Sequence, residues 1–540
     1  MDYYFTRDDE YLTTCPENLT FRELHYCSEK KFEKWVDDVS QRIRSRWYQH
    51  QVPVLPGNST TQNIVEDMKK LSGADTDRLL VVDDLTHRND CIVSWGKEGL
   101  SVNNFFPSLW LTVDASVGAS LYQTLTGEKK RTSRNKGFRR HFRRDGFYVY
   151  SVFAKRNDTR FGVNTKGKTA TTGLDWIQNF EEIKKTIPQY KHYDYWFEYH
   201  LTPQGKHKGN RPNKLTVNKT QLDMLLKRGT IKKKHIRAIE RRDSQGNLTH
   251  KYKDLKDTDR FYIRVFDGKE KIFSPKTSKI FRMGFSVLSA TNFPPTVAKY
   301  IYKKYTERIK EQKRIVIYDP SAGWGGRLIA ACASGSDRNI HYVGTDPNWS
   351  NYISALHISR YEYLAQFYQR NVPQEKHITY EIFQEGSEEI HKVSRFHKYK
   401  GKIDLVFTSP PYFDAEGYST DYRQSSVKFP EYDLWREGFL QKTLETCCRY
   451  LKVGGYLIWN IADVKKGTSM LPLESDTVEI LTDLGMKYEE KIKFVLSIAP
   501  GGGRVSWVHR NPQTKNFVSV GGKYRKYEPI FVFRKTRKSV

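Results

Sequence analysis

The spacing of hydrophobic and polar positions changes near residue 281. Past that point, short apolar runs alternate with amphipathic stretches of helical period. An apolar stretch at 285–288 leads through Asn292-Phe293-Pro294-Pro295 into a helix expected over 296–308. A strand at 314–318, a glycine-rich loop at 319–326 and a helix at 328–333 come next. A strand at 341–345 ends at Asp346, a helix is expected over 349–366, and a strand at 377–383 runs towards Gly386. The strand at 403–407 meets Ser409-Pro410-Pro411-Tyr412. A long helix at 434–451 is stopped by Gly454-Gly455, and a further strand occupies 456–461. This alternation predicts a doubly wound, Rossmann-like α/β domain over residues 281–540. Ligands of such sheets bind beyond the C-terminal ends of the strands, where these loops emerge.

Upstream, the pattern predicts a mixed α+β region. Helical stretches at 29–46 and 62–71 flank a break rich in Pro, Gly and Ser at 52–60. Thr220, with Asp223 three residues on, reads as the cap of a short helix at 221–227. With Gly229 and a second helix at 231–242 this makes either a helix-turn-helix or a plain basic helical hairpin. A turn at 243–247, a strand at 261–266 and a polar linker at 267–279 complete the region.

Charge divides the same chain more sharply. The net charge is +29. Lys and Arg number 13 against 19 Asp and Glu in residues 1–120 (net −6), 39 against 16 in 121–280 (net +23) and 39 against 27 in 281–540 (net +12). We therefore read an N-terminal domain at 1–120, a basic nucleic-acid-binding and target-recognition region at 121–280, and the α/β domain at 281–540. The densest basic run holds Lys129, Lys130, Arg131, Arg134, Lys136, Arg139, Arg140, Arg143 and Arg144, with Phe138 and Phe142 among them. Cations interleaved with aromatic rings suit a surface that meets phosphates and stacks on bases. No apolar run reaches the roughly 20 residues needed to cross a bilayer, and Met1-Asp2-Tyr3-Tyr4 opens no signal-peptide pattern. A cytoplasmic protein without a membrane partner is expected. The six cysteines form no CxxC pair, which points to free thiols and no metal site.

Two loops carry candidate chemistry. In Asp319-Pro320-Ser321-Ala322-Gly323-Trp324-Gly325-Gly326 the glycines allow a tight turn and close approach to a ligand. Asp346, at the tip of the next strand, is placed to accept from ribose hydroxyls. The dinucleotide fingerprint G-x-G-x-x-G is not matched. A carboxylate opening the loop repels pyrophosphate but suits the cationic amino group of a methionine moiety, which favours S-adenosylmethionine over NAD. In the second loop, Pro410 and Pro411 have no N–H to continue the strand's ladder. The chain stops pairing at Ser409, leaving carbonyl acceptors beside the ring of Tyr412. That combination fits a planar base bearing an amino group.

Taken together, Asp319-Pro320-Ser321-Ala322-Gly323 and, about 90 residues on, Ser409-Pro410-Pro411-Tyr412 resemble the two motifs of the amino-methyltransferases of DNA, D-P-F-x-G and D/N/S-P-P-Y/F. The resemblance extends over residues 281–535. It implies S-adenosylmethionine as cofactor, held by Phe293, Asp319, Ser321, Ala322, Gly323, Gly325, Asp346 and Ser387. Asp346 takes the ribose, and the Glu385-Gly386-Ser387 turn lies by the adenine. It also implies catalysis by Ser409, Pro410, Pro411 and Tyr412 on the exocyclic amine of a base flipped out of double-stranded DNA, in a bacterial or phage-infected cell. The target base, N4 of cytosine or N6 of adenine, stays open, because Ser before Pro-Pro resembles the cytosine members imperfectly. The segment 416–425 is expected to close over the target, with Arg423 contacting nucleic acid, and 500–504 to form a second basic loop. No recognition insert fits inside the α/β domain, so recognition falls to 121–280. RNA as the polymer, and a nucleic-acid-binding scaffold that has lost activity, are the rival expectations.

Overall fold

The protein is described by a computed structural model. It describes residues 61–126, 216–237, 255–267, 290–496 and 516–537 apart from short gaps, the strand at 193–199, and scattered helical positions at 34–44 and 174–185. The basic run at 129–144, the loop at 500–504 and the stretch at 285–288 lie outside the described residues. Two compact units hold them: one contains those of 34–131 and 274–540, the other those of 132–273. The units divide between 131 and 132 and between 273 and 274. Residues before 120, however, share a unit with those after 280. No helix among the described residues is long and apolar enough to cross a membrane.

The first unit is built on one sheet. Its strands are β1 (Leu80–Val81), β2 (Cys91–Val93), β3 (Ile315–Asp319), β4 (Ile340–Thr345), β5 (Thr379–Phe383), β6 (Ile403–Thr408), β7 (Leu451–Asn460), β8 (Lys487–Val495), β9 (Phe517–Val520) and β10 (Lys523–Arg534). Their order is β1-β2-β8-β10-β7-β6-β3-β4-β5, with β9 paired to β10. β5, β4, β3, β6 and β7 are parallel, while β10 runs antiparallel between β7 and β8. The chain winds outward one way from β3 and the other way from β6. Between these neighbours lies the switch point where doubly wound sheets bind ligands.

Alternate residues of the central strands serve opposite faces. Tyr318, Val406 and Trp459 join a buried cluster with Leu444 and Cys447 of α5 (Lys442–Tyr450) and Ile480 of α6 (Leu473–Asp483). On the other face the Phe407 ring lies 6.0 Å from that of Tyr302 in α2 (Pro295–Thr306). There α2 packs beside α3 (Gly326–Ser334), which also meets α4 (Arg360–Asn371) and α1 (Thr61–Ser72). Pro294 caps α2 and Pro295 takes its first turn, where a missing N–H costs nothing.

Three expected elements differ. The helix expected over 349–366 begins only at Arg360, because Ser359 and Glu362 form a capping box. A hairpin pairing Tyr352 and Ile353 with Ser359 and Ile358 occupies the preceding stretch, with His357 left-handed at φ 51°. The helix expected over 434–451 contains a π turn at Arg436–Gln441. Gly454 and Gly455 lie inside β7 instead of ahead of it, where the pairing with β6 shifts register.

The second unit contains a four-stranded sheet ordered Thr216–Asn218, Arg260–Asp267, Tyr193–Tyr199 and Ile236–Arg237. Its helix Lys219–Lys227 is capped by Asn218 with Gln221, not by Thr220, whose N–H is held by Asp257 at 2.9 Å. Residues 233–235 form a single tight turn and 236–237 a strand, so the helix expected from 231 does not form over the described residues. The helix-turn-helix is not present there.

Candidate active site

The two loops read from the sequence leave adjacent strands and are joined by a hydrogen bond. Asp319 ends β3 and Thr408 ends β6. The Thr408 hydroxyl donates to Asp319 Oδ1 at 2.8 Å. The same carboxylate accepts from the Ser321 N–H (3.3 Å), the Tyr342 hydroxyl (2.7 Å) and Arg327 Nε (2.7 Å). Asp319 is 0% exposed, and its charge is paired with the buried Arg327 guanidinium. It is therefore an anchor under the loop and does not present a free carboxylate to a cationic ligand. Arg327 also donates to the Ser321 carbonyl and lies 5.7 Å from the Phe293 ring centroid.

Above this anchor the backbone makes a cradle. The Ala322 N–H donates to the Thr345 carbonyl at 2.9 Å, and Gly323 and Gly325 have φ of 57° and 69°. A Cβ on Gly325 would lie 2.7 Å from the Phe106 ring, and one on Gly326 would lie 2.4 Å from the Phe293 carbonyl oxygen. Only glycine fits either position. Asn292 ties the upstream segment to the loop, donating to the Trp324 carbonyl (2.8 Å) and to Asn103 Oδ1 (3.0 Å).

Asp346 follows β4 and accepts from the Gly323 N–H at 3.1 Å and the Asn348 N–H at 2.8 Å. Desolvation pushes its pKa up to about 6, against the lowering effect of these hydrogen bonds. Ser387 is buried, with its hydroxyl 3.0 Å from that of Thr443. Phe293 is a core ring, 5.4 Å from both Phe407 and Phe494. Ser321, Gly323 and Asp346 are the partly exposed residues of the cradle, whereas Phe293 and Ser387 are buried.

The second loop turns sharply. After Pro410 and Pro411, Phe413 takes a left-handed φ of 53°, and the Ala415 N–H returns to the Tyr412 carbonyl at 3.1 Å. Phe413 is buried against Trp435 and Tyr432, which holds the strained turn in place. Tyr412 is partly buried, and its hydroxyl donates to Glu528 Oε2 at 3.2 Å. Burial pushes Glu528, on β10, above the usual carboxylate range.

The following segment folds back over both loops. Glu416 and Gly417 pair with Asp114 and Val113, and a strand at Ala119–Ser120 extends that small sheet. The Tyr418 ring lies 5.7 Å from that of Trp324 in the glycine loop. Arg423, expected at nucleic acid, is engaged within the protein. Its guanidinium pairs with Asp421, donates to the carbonyls of Pro347 (3.0 Å) and Gln384 (3.4 Å), and lies 4.7 Å from the exposed Trp349 ring. It latches this segment to the loops after β4 and β5.

Asn103, Phe106, Arg327 and Glu528 belong to the site without having been singled out from the sequence. Of these only Arg327, just after the glycine loop, carried a local signal. Among the described residues, Asp83, Asp90 and Cys91 form a cluster of metal-ligand type, and Lys493 Nζ lies 2.8 Å from Asp83 and 3.1 Å from Asp90.

No family model matches the chain, and no curated protein matches it. Among solved structures, a Listeria monocytogenes protein assigned to the class I S-adenosylmethionine-dependent methyltransferases is 17% identical. That match covers 49% of this chain and 76% of the other, with a TM-score of 0.27. A Thermus thermophilus protein assigned as a DNA modification methylase is 18% identical over 29% of this chain and 53% of its own, at TM-score 0.19. A geranyl diphosphate methyltransferase in complex with S-adenosylmethionine is 10% identical over 44% and 85%, at TM-score 0.24. Likenesses this low carry no weight. The strand order and the two joined loops themselves define a Rossmann-like, doubly wound α/β unit with a ligand cradle and a Ser-Pro-Pro-Tyr turn at its switch point.

Proposed function

We propose that the chain is a site-specific methyltransferase that moves the methyl group of S-adenosylmethionine to the exocyclic amino group of a flipped base in DNA, at cytosine N4 or adenine N6. One observation carries the reading: the Ser409-Pro410-Pro411-Tyr412 turn stands beside the glycine cradle across the switch point, with Thr408 bonded to Asp319. A cofactor's reactive carbon and a base amine held by these two loops would face each other.

The residues present fit the cofactor. Positive φ at Gly323 and Gly325 brings backbone close to a ligand, and half-buried Asp346 offers a carboxylate to a ribose diol. Ser321, Gly323 and Asp346 would hold it, with Ala322 and Gly325 shaping the loop. Asp319 acts through the loop it anchors. When bound, S-adenosylmethionine supplies a methyl group activated by its sulfonium.

An exocyclic amine is a poor nucleophile because its lone pair is delocalised into the ring. The Ser409 hydroxyl oxygen and the Pro410 carbonyl accept its two hydrogens, favouring a pyramidal nitrogen with its lone pair exposed. Pro411 keeps that carbonyl out of the sheet's ladder. Tyr412 offers a ring on which the flipped base stacks, worth about 1–3 kcal/mol against a flipping cost of a few kcal/mol. The +23 segment at 121–280 supplies the phosphate-binding charge such a polymer requires.

The test is to express the chain in cells and sequence their DNA with a method that detects modified bases. Methylation of cytosine N4 or adenine N6 at a recurring motif, absent for Ser409→Ala, is expected. Unmodified DNA together with methylated RNA would move the substrate to RNA. No modified nucleic acid of either kind would overturn the reading.

A further inference from the structure

Several cations around the candidate site are engaged within the protein. Arg327 is buried against Asp319, Arg423 pairs with Asp421, and Lys428 pairs with Glu388 and Glu389. All three bond to the loops after β3, β4 and β5, the half of the site proposed above to hold the cofactor. The other half, at β6 and β7, has to receive the target base and the strand that carries it.

A hairpin leaves the sheet at that half. β7 runs parallel to β6 with Trp459 opposite Thr408, so the chain after Asn460 emerges at the same edge as Ser409. There Val464–Lys466 and Ser469–Leu471 form an antiparallel pair ahead of α6. Its two faces differ. Val464 and Leu471 stand opposite each other and pack on the buried cluster that includes Phe413. Lys466, two residues on from Val464 and so on the same face, pairs with Asp414 at 3.0 Å. Its Nζ lies 4.5 Å from the Phe413 ring centroid. This inner face fixes the hairpin to the turn that follows Ser409-Pro410-Pro411-Tyr412.

The outer face carries Lys465 and Met470, directly opposite each other and both exposed, Met470 by 57%. Neighbouring carboxylates are occupied elsewhere: Asp414 pairs with Lys466, and Asp463 accepts from the Glu474 N–H at 3.0 Å. Among the described residues, no carboxylate pairs with Lys465. Methionine is unbranched and polarisable, which suits a surface that adapts to what it meets. Apolar side chains of this kind press against base steps in nucleic-acid complexes, and lysines neutralise phosphates.

Building on the DNA methyltransferase reading, on which this inference rests, we propose that the outer face of this hairpin grips the DNA strand beside the target base. Lys465 takes a phosphate, and Met470 covers an adjacent base or sugar face. Charge selects the occupant. Residues 281–540 carry 39 Lys and Arg against 27 Asp and Glu, a net +12 within a chain of +29. Lys465 adds a charge with no internal partner where the target strand has to pass. A base that leaves the duplex draws its flanking phosphates with it, so a cation fixed to the catalytic turn meets the backbone next to that base. The gap in the stack leaves neighbouring base faces uncovered, and an apolar side chain shields one of them from water.

Both side chains are exposed, so Lys465→Gln and Met470→Ser should leave the melting temperature unchanged. Binding of a fluorescein-labelled DNA duplex of mixed sequence is followed by anisotropy against salt concentration. Lys465→Gln should lower the salt slope by about 0.9. Met470→Ser should weaken binding about fivefold at every salt concentration with the slope unchanged, because an apolar contact releases no counterion. Position is read separately by photo-cross-linking. Benzoylphenylalanine in place of Met470 should cross-link to the duplex. In place of Val453, exposed near the start of β7 at the opposite edge of the sheet, it should not. Cross-linking to structured RNA but not to the duplex would overturn DNA as the occupant. Wild-type slope and affinity in both variants, with no more cross-linking from 470 than from 453, would overturn the hairpin's role. If the chain then still methylates DNA, the proposed function stands and only the hairpin falls; if it neither binds nor methylates DNA, both fall.

Discussion

Replacing Asp319 by Asn tests whether this carboxylate anchors the site or faces its ligand. Asn keeps the shape but not the acceptors. Oδ2 accepts from Arg327 and Tyr342, and Oδ1 from Thr408 and Ser321. Whichever way an amide is turned, its NH2 meets two donors, and the buried Arg327 guanidinium loses its counter-charge. Breaking one side of a buried ion pair costs about 3–5 kcal/mol. That is a large share of the roughly 5–15 kcal/mol that holds a typical protein folded. Thr408→Val removes a single bond to the same carboxylate and should cost less, about 1.5–3 kcal/mol. Urea unfolding midpoints give both values, and calorimetry gives cofactor affinity on the same samples. An Asp319→Asn protein within about 1 kcal/mol of wild type that nevertheless loses cofactor binding would refute the anchor and place the carboxylate at the ligand.

Gly326→Ala should destabilise by about 1–3 kcal/mol and weaken cofactor binding, because its Cβ would lie 2.4 Å from the Phe293 carbonyl oxygen; a calorimetric affinity equal to wild type would contradict this. Asp346, with its pKa pushed up to about 6, retains in the folded state a proton that the unfolded chain releases near its ordinary value. The stability it contributes is therefore present below that ordinary value and lost as pH rises through about 6. Cofactor affinity should move the other way, rising up to about tenfold per unit between pH 5 and 6 and then levelling, because only the carboxylate accepts from ribose; calorimetry across pH reads it, and a flat profile would remove Asp346 from the ribose. A fragment of residues 281–540 should not bind cofactor, because it lacks β2 along β8, Phe106 under Gly325 and the pairing partners of Glu416 and Gly417; a monodisperse fragment with full affinity would contradict that. Neutralising the basic residues of 129–144 should lower the salt dependence of DNA binding by about 0.9 in slope for each phosphate no longer neutralised, and an unchanged slope would place the phosphate-binding cations elsewhere.

The α/β unit was legible because its signals are local. Apolar runs of strand length ended at Asp319, Asp346 and Ser409, and each ends a strand or begins the loop after one. The helix expected from 349 was over-extended because Ser359 and Glu362 form a competing cap that a spacing pattern does not weigh. The contribution of residues 61–126 was hidden for another reason. β2 spans three residues, and the pairing at Val113–Asp114 spans two. Such short segments have no period of their own, and only their partners on β8 and after Tyr412 make them strands. Arg423 looked like a free cation because the carbonyls of Pro347 and Gln384, distant in the sequence, converge on it only in three dimensions. Glu528 lies 116 residues from its partner Tyr412, and nothing in the sequence around it marks it out.

The most direct test of the central claim incubates the purified chain with methyl-labelled S-adenosylmethionine and duplex DNA, then digests the DNA and identifies labelled nucleosides by mass spectrometry. The predicted result is label on N4-methylcytosine or N6-methyladenine, lost in Ser409→Ala while calorimetry shows the cofactor still bound. Label at a ring carbon, or DNA methylation that survives Ser409→Ala undiminished, would contradict it.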